Sequence, residues 1–339
     1  MNNSPPPHFI ISADITRAMG LSLPIVALES TVITHGLPHP QNLSLALDME
    51  NEVRNLGVTP ATVAVLDGFI HVGLTSAELE QLAFSSMEPA RQALNKELQQ
   101  MMLLRGETGP LLSEKRMHKV SRRDFASVIT RKDSGGTTVA GTMFAANQVG
   151  INVFATGGIG GVHEAGTFDI SADLMALADT PMIVVCAGAK AILDLPATLE
   201  HLETMSVPVV GYQTEEFPAF YSSESGLPVS LQLNTPGEIV EFARAHWEIG
   251  MRSAVLVCQP VPASEAMERA KIEAAIKQAK KEARARKLHG QEITPFLLGR
   301  LVELTEGASL RANIALLLNN ARLAANISRV LSAGHRKMV

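Results

Sequence analysis

Two polar side chains stand where strand-like apolar runs end. The stretch Met182–Lys190, MIVVCAGAK, is continuously apolar, narrows to Ala187, Gly188 and Ala189, and then delivers a lysine. Small residues at the carboxyl end of a strand let a ligand approach the backbone, and α/β sheets place their sites at that end. An ammonium held against apolar walls loses solvation, which favours the nucleophilic free amine. On this stretch alone, a strand-end lysine that points into water is the simpler alternative. Glu29 repeats the arrangement in Ala27-Leu28-Glu29-Ser30-Thr31. A carboxyl in an apolar setting can serve as a general acid, or it can cap the turn near Gly36-Leu37-Pro38.

Around these two lie elements suited to an anionic ligand. Gly135-Gly136-Thr137-Thr138 reads as the opening of a helix, whose free N–H groups bind phosphate. His118 to Asp124, HKVSRRD, supplies positive charge, and Thr156-Gly157-Gly158-Ile159-Gly160-Gly161 reads as a loop that hugs a ligand. The glycine loop lacks the acidic ribose partner of a dinucleotide fingerprint. Asp169 and Asp173 are spaced to share one face of a helical turn, where carboxylates suit Mg²⁺ or Mn²⁺. Capping of that helix by Ser171 or Asp169 is the plainer alternative.

Positioning these groups requires buried strands alternating with helices, an α/β pattern. Strands are predicted at 25–28, 62–66, 152–155, 182–187, 207–212 and 254–257. Their unbroken apolar character fits a sheet covered on both faces. Helices are predicted at 42–56, 137–149, 171–178, 236–249, 264–288 and 309–330. Thr235 serves as an N-cap ahead of Pro236, and Gly250 as a stop. Residues 86–114 read as an inserted surface helix, 89–104, with Leu94, Leu98, Met101 and Met102 on one stripe; a partner-binding helix is the alternative. Without an interdomain linker, residues 1–339 read as one domain.

The bulk composition narrows the classes. A chain of 339 residues that is 46% hydrophobic can bury a large core. None of its apolar runs is long enough to span a bilayer. A net charge of −5 argues against nucleic acid as a partner. The start, MNNSPPPHF, has no secretory pattern, so a reducing compartment is expected: the cytoplasm, or an organelle in a eukaryote. Cys186 and Cys258 lie in apolar runs and read as buried structural thiols.

Taken in order, the stretches VALESTVITHGLPHPQN (26–42), KVSRRD (119–124), GGTTVAGTM (135–143), VFATGGIGGVH (153–163), TFDISADL (167–174), VVCAGAK (184–190), TPFLLGR (294–300) and SLRANIALLLNNA (309–321) resemble the pseudouridine-5′-phosphate glycosidase, or indigoidine synthase A-like, family. The resemblance spans nearly the whole chain. It implies a three-layer α/β/α sandwich with a small appended α/β subdomain, assembled as a homotrimer. The activity implied is reversible cleavage of the C–C glycosidic bond of pseudouridine 5′-phosphate to uracil and ribose 5-phosphate, through a covalent lysine imine.

By the same resemblance Lys190 is the nucleophile and Glu29 the proton donor. Asp169 holds one Mn²⁺ per subunit, largely through water. Lys119, Val139, Ser171, Ala172 and Asp173 bind substrate, Asn313 is a further pocket residue, and Thr156 and His163 contact the phosphate. Two departures stand out. The family's GVHR has Glu164 in place of the arginine, in a shortened loop, and the 86–114 segment is longer than the usual connection. A Schiff-base lyase or aldolase acting on another sugar phosphate, and a non-catalytic sugar-phosphate binder, are the competing functions.

Overall fold

A computed structural model describes residues 5–84, 101–102, 117–163, 168–286, 288 and 293–335. The chain opens with strand β1 (Phe9–Ile11), helix α1 (Ala13–Gly20), β2 (Ile25–Leu28), a π-helical turn (Val32–Gly36), α2 (Gln41–Asn55), β3 (Thr59–Leu66), β4 (Phe69–Val72) and α3 (Ser76–Phe84). There follow β5 (Met117–Val120), a 3₁₀ turn (Arg122–Asp124), α4 (Phe125–Arg131), β6 (Ser134–Thr137), α5 (Val139–Gln148), β7 (Val153–Ala155), α6 (Ala172–Asp179) and β8 (Ile183–Cys186). The last part comprises α7 (Leu195–Thr204), β9 (Val209–Tyr212), β10 (Leu231–Leu233), α8 (Pro236–Glu248), β11 (Val255–Cys258), α9 (Arg269–Ala285), α10 (Ile293–Leu304) and α11 (Ala308–His335).

The large sheet is parallel, ordered β3-β2-β7-β8-β11-β9-β10. β8 and β11 are buried along their whole length, which is why their sequences are apolar without alternation. A fully buried Val, Leu or Ile contributes roughly 1.5–3 kcal/mol relative to exposure, so these strands make a rigid platform. α11 lies against α2, α8 and strands β2, β7 and β8, while α5 packs on α6, β2 and β3. The expected layered α/β architecture is therefore what the chain adopts.

The appended subdomain grows from β3. Its first half pairs with β2 in parallel, Ile25 opposite Thr59 through Leu28 opposite Thr62. Its second half turns to antiparallel partners, β4 on one side and β6 on the other. β5 then joins β6, and β1 joins β4. One continuous strand thus belongs to both sheets.

Several elements differ from expectation. Gly135 and Gly136 do not open a helix: they lie inside β6, buried, and the helix starts at Val139 with Thr138 as its N-cap. A Cβ on Gly136 would sit 2.8 Å from the Ser30 carbonyl, so the glycines serve close strand packing. β1, β4, β5 and β10, and helices α1, α3, α4, α7 and α10, were not anticipated. Of the proposed 86–114 insertion only Met101 and Met102 are described, both helical; the rest lies outside the described residues. Cys186 and Cys258 are buried and unbonded, opposite one another on β8 and β11 with their Sγ atoms 3.9 Å apart.

Candidate active site

The site is assembled on neighbouring strands that run the same way. β2, β7 and β8 are adjacent and parallel, so their carboxyl ends emerge together, spaced about 5 Å from strand to strand. Glu29 is the first residue past β2, Thr156 the first past β7, and Lys190 follows β8 by a short turn. By the strand register Glu29 is level with Thr156 and, two strands away, with Cys186, and the chain then carries on past the end of β8 to Lys190.

Glu29 is 8% exposed. Its Oε1 accepts a hydrogen bond from the Thr156 hydroxyl, and its Oε2 lies 3.0 Å from the Thr31 hydroxyl. Both oxygens are taken by hydroxyls, which corrects the alternative that this carboxylate caps the turn at Gly36–Pro38. Thr156 was expected at a phosphate, but its hydroxyl is engaged with Glu29. Its carbonyl accepts from Asn320 Nδ2 at 2.9 Å. Asn320, buried in α11, therefore pins the glycine loop from behind, a role not anticipated from sequence.

The loops after β7 and β8 extend the sheet pairing beyond the strands. Ala187 N donates to Gly157 O at 2.9 Å, Ile159 N to Gly188 O at 3.1 Å, and Lys190 N to Ile159 O at 3.1 Å. This ladder fixes the backbone of Lys190, whose side chain is half-buried. Two glycines make the approach possible. A Cβ on Gly158 would come within 2.7 Å of the Phe220 ring, and Gly188 has φ +83°, a left-handed conformation that glycine adopts without steric cost.

Lys119 reaches the same space from β5, where it pairs with Gly136. Burial pushes its ammonium below the ordinary lysine range. Lys190 pushes the same way, opposed by Asp173 and Glu29. His163 is also lowered, first by burial; Asp169 opposes this, while Lys119, Lys190 and Lys280 reinforce it. The charges of Lys119, Lys190 and Lys280 are thus all felt at His163, and Lys280, from α9, is a contributor with no signal in the sequence.

Asp169 and Asp173 do not share a helix face. Asp169 precedes the helix, is exposed, and its carbonyl accepts from His163 N at 3.0 Å. Asp173 is buried in the first turn of α6. Its Oδ1 accepts from Ala140 N at 3.0 Å and its Oδ2 from Gly160 N at 2.8 Å. It thus clamps the start of α5, beside buried Val139, to the glycine loop. Ser171 is the N-cap of α6, accepting from Asp173 N, and Ala172 is exposed at the helix start. Asn313 is half-buried on α11, and Glu164 lies outside the described residues.

Among the described residues, no three His, Cys, Asp or Glu side chains gather as a metal cage. The exposed carboxylate of Asp169 next to His163 fits instead a hard divalent cation that keeps most of its waters, a binding mode common for such ions.

The family model for indigoidine synthase A-like proteins matches residues 14–110 and 89–330. The pseudouridine-5′-phosphate glycosidase of Geobacillus kaustophilus is 47% identical over 325 residues, 95% of this chain and 98% of that protein. The enzyme of the same name from Paracoccus denitrificans is 46% identical over 329 residues, 96% of this chain and 99% of that one. Among solved structures, the prealnumycin C-glycosynthase AlnA in complex with ribulose 5-phosphate superposes with a TM-score of 0.83. It is 34% identical and covers 98% of this chain and 100% of that one. An indigoidine synthase A-like protein from Thermotoga maritima gives 0.78 at 32% identity, covering 96% and 97%.

Proposed function

Because the chain belongs to the indigoidine synthase A-like family, we propose that it is a pseudouridine-5′-phosphate glycosidase, cleaving pseudouridine 5′-phosphate with water to uracil and ribose 5-phosphate, reversibly. The observation that carries this beyond the comparisons is the convergence of Glu29, Thr156 and Lys190 on the carboxyl ends of three adjacent parallel strands, with Lys119 beside them.

Carbon is a poor leaving group, and covalent catalysis divides the difficulty. Lys190 Nζ, as the free amine, bonds to C1′ as the C1′–O4′ bond breaks, and the proton shed by Nζ passes to O4′. Glu29 then gives its proton to uracil C5. The nitrogen lone pair forms the C1′=N bond as C1′–C5 breaks, and uracil departs neutral. Water adds to the protonated imine, and collapse of that adduct frees ribose 5-phosphate and the lysine amine, the proton released returning to Glu29. In the synthetic direction Glu29 is the base.

The cationic Lys119 and Lys280, with the His163 imidazole as a neutral hydrogen-bonding partner, suit the phosphate, and Ser171, Ala172, Asp173, Val139 and Asn313 line the substrate's approach. Asp169 would hold Mn²⁺, which when bound would supply positive charge for the anionic substrate. The chain assembles as a homotrimer in this reading; exposed Phe168, Ile170 and Met175 support a contact between subunits, and analytical ultracentrifugation reads the number of subunits. Among the described residues no helix is long and apolar enough to cross a membrane, and the two unbonded thiols suit the reducing cytoplasm.

The test is turnover of pseudouridine 5′-phosphate to uracil and ribose 5-phosphate, and the reverse synthesis, with Mn²⁺ supplied. No turnover in either direction refutes the reading. A lyase for another sugar phosphate would turn over without any requirement for uracil in synthesis.

A further inference from the structure

Resting on Glu29 as the proton donor of that reaction, we infer that Thr31 is a positioning residue which decides on which oxygen of Glu29 the transferable proton sits. The Thr31 hydroxyl lies 2.5 Å from the Thr137 carbonyl oxygen and 3.0 Å from Glu29 Oε2. It carries one hydrogen for two neighbours. A carbonyl oxygen can only accept, so the closer contact claims that hydrogen. What Thr31 then presents to Oε2 is a lone pair, and a lone pair facing a carboxyl oxygen is favourable only when that oxygen bears the proton.

On the other side, Oε1 accepts from the Thr156 hydroxyl. The two threonines therefore break the symmetry of the carboxyl group: Oε1 is the carbonyl-like oxygen and Oε2 the hydroxyl. Once the proton has been delivered, both oxygens become acceptors only. Thr31 then turns its hydrogen from the Thr137 carbonyl to Oε2, and the carboxylate keeps a donor on each oxygen. The proton account balances in both directions, since Thr31 reorients its own hydrogen and never gives it up. Thr137 ends β6 immediately before Thr138, the N-cap of α5. The released carbonyl thus ties the state of Glu29 to the junction that leads to Val139.

The test compares Thr31→Val, which keeps the shape and removes the hydroxyl, with Thr31→Ser, which keeps it. Removing a positioned partner of the acid is expected to lower kcat roughly 10- to 100-fold, part of what general acid catalysis supplies. KM for pseudouridine 5′-phosphate should stay within a few-fold, and Thr31→Ser should restore most of kcat. Infrared difference spectra across the protonation of Glu29, assigned by subtraction of Glu29→Gln, read the same contact without turnover. The carboxylic C=O band should show a hydrogen-bonded O–H in the wild type and in Thr31→Ser, and should move to higher frequency in Thr31→Val.

An unchanged kcat in Thr31→Val, a Thr31→Ser variant as impaired as Thr31→Val, or an unmoved band overturns the assignment. Should Thr31→Val fail to fold, Thr31→Ala gives the same comparison. Should the wild type turn over no pseudouridine 5′-phosphate, the proposed reaction falls, and the infrared comparison still decides the role of Thr31.

Discussion

Replacing Asp173 by Asn tests whether one buried carboxylate holds the site together. Each of its oxygens accepts one backbone N–H, Ala140 N at 3.0 Å and Gly160 N at 2.8 Å. An asparagine keeps one acceptor and turns an NH₂ toward the other donor, so one charge-assisted bond is lost and one buried N–H is orphaned. A hydrogen bond to a charged group contributes about 1.5–3 kcal/mol, and an unsatisfied buried donor costs about 1–3 kcal/mol. These overlap in one contact, so the expected loss is about 2–4 kcal/mol. Asp179→Asn is the control. Asp179 pairs at the surface with Arg122 at 2.7 Å, a contact worth no more than about 1 kcal/mol. Urea unfolding measures both. Because Gly160 belongs to the loop that fixes Lys190, kcat should also fall, on the order of 100-fold for a displacement near 1 Å. A loss under about 0.5 kcal/mol in Asp173→Asn, within the ordinary surface range, with normal turnover, would refute the clamp.

Lys190→Arg keeps the charge but cannot form the imine. Borohydride treatment with ribose 5-phosphate should label the wild type at Lys190 and leave the variant unlabelled, and a label elsewhere sinks the assignment. For Lys119, whose folded-state pKa is lowered chiefly by burial, the unfolded chain binds the proton more tightly, so stability rises with pH between the lowered value and the ordinary lysine value of about 10.4. Lys119→Met should therefore be more stable than the wild type at pH 7, with the advantage shrinking toward pH 10 in urea titrations; an advantage that is absent or constant contradicts this. Chelation should reduce turnover and added Mn²⁺ should restore it, with the restoration lost in Asp169→Asn and the far-ultraviolet circular dichroism unchanged throughout. Chelation without effect would remove the metal from Asp169.

What could be read from sequence follows from where side chains carry signal. β2, β8 and β11 are covered on both faces, so their runs are unmistakably apolar, and the polar residues that end β2 and β8 stand out as Glu29 and Lys190. β6 gives no such signal: a strand of Ser134, Gly135, Gly136 and Thr137 has no apolar period, and its glycines read as the opening of a helix although they are there because His118, Ser30 and Thr34 leave no room for a Cβ. β5 fails for another reason, since Met117, His118 and Lys119 are only half-buried. The hydroxyl chemistry around Glu29 joins residues distant in sequence: Thr31 with Thr137, and Thr156 with Glu29. Pairing of that kind has no local pattern. The same holds for Asn320, a buried polar residue of α11 whose partner is a backbone carbonyl far up the chain.

The shared strand β3 has a consequence for how the molecule comes apart. Its first half is hydrogen-bonded into the large sheet and its second half into the small one. Separating the subdomain would bare an edge of both sheets at once. The two should therefore melt as a single cooperative unit, with the β3 amides among the last to exchange with deuterium. Lys119, carried by the small sheet, and Lys190, carried by the large one, are then held at a fixed spacing by the backbone between them rather than by a hinge.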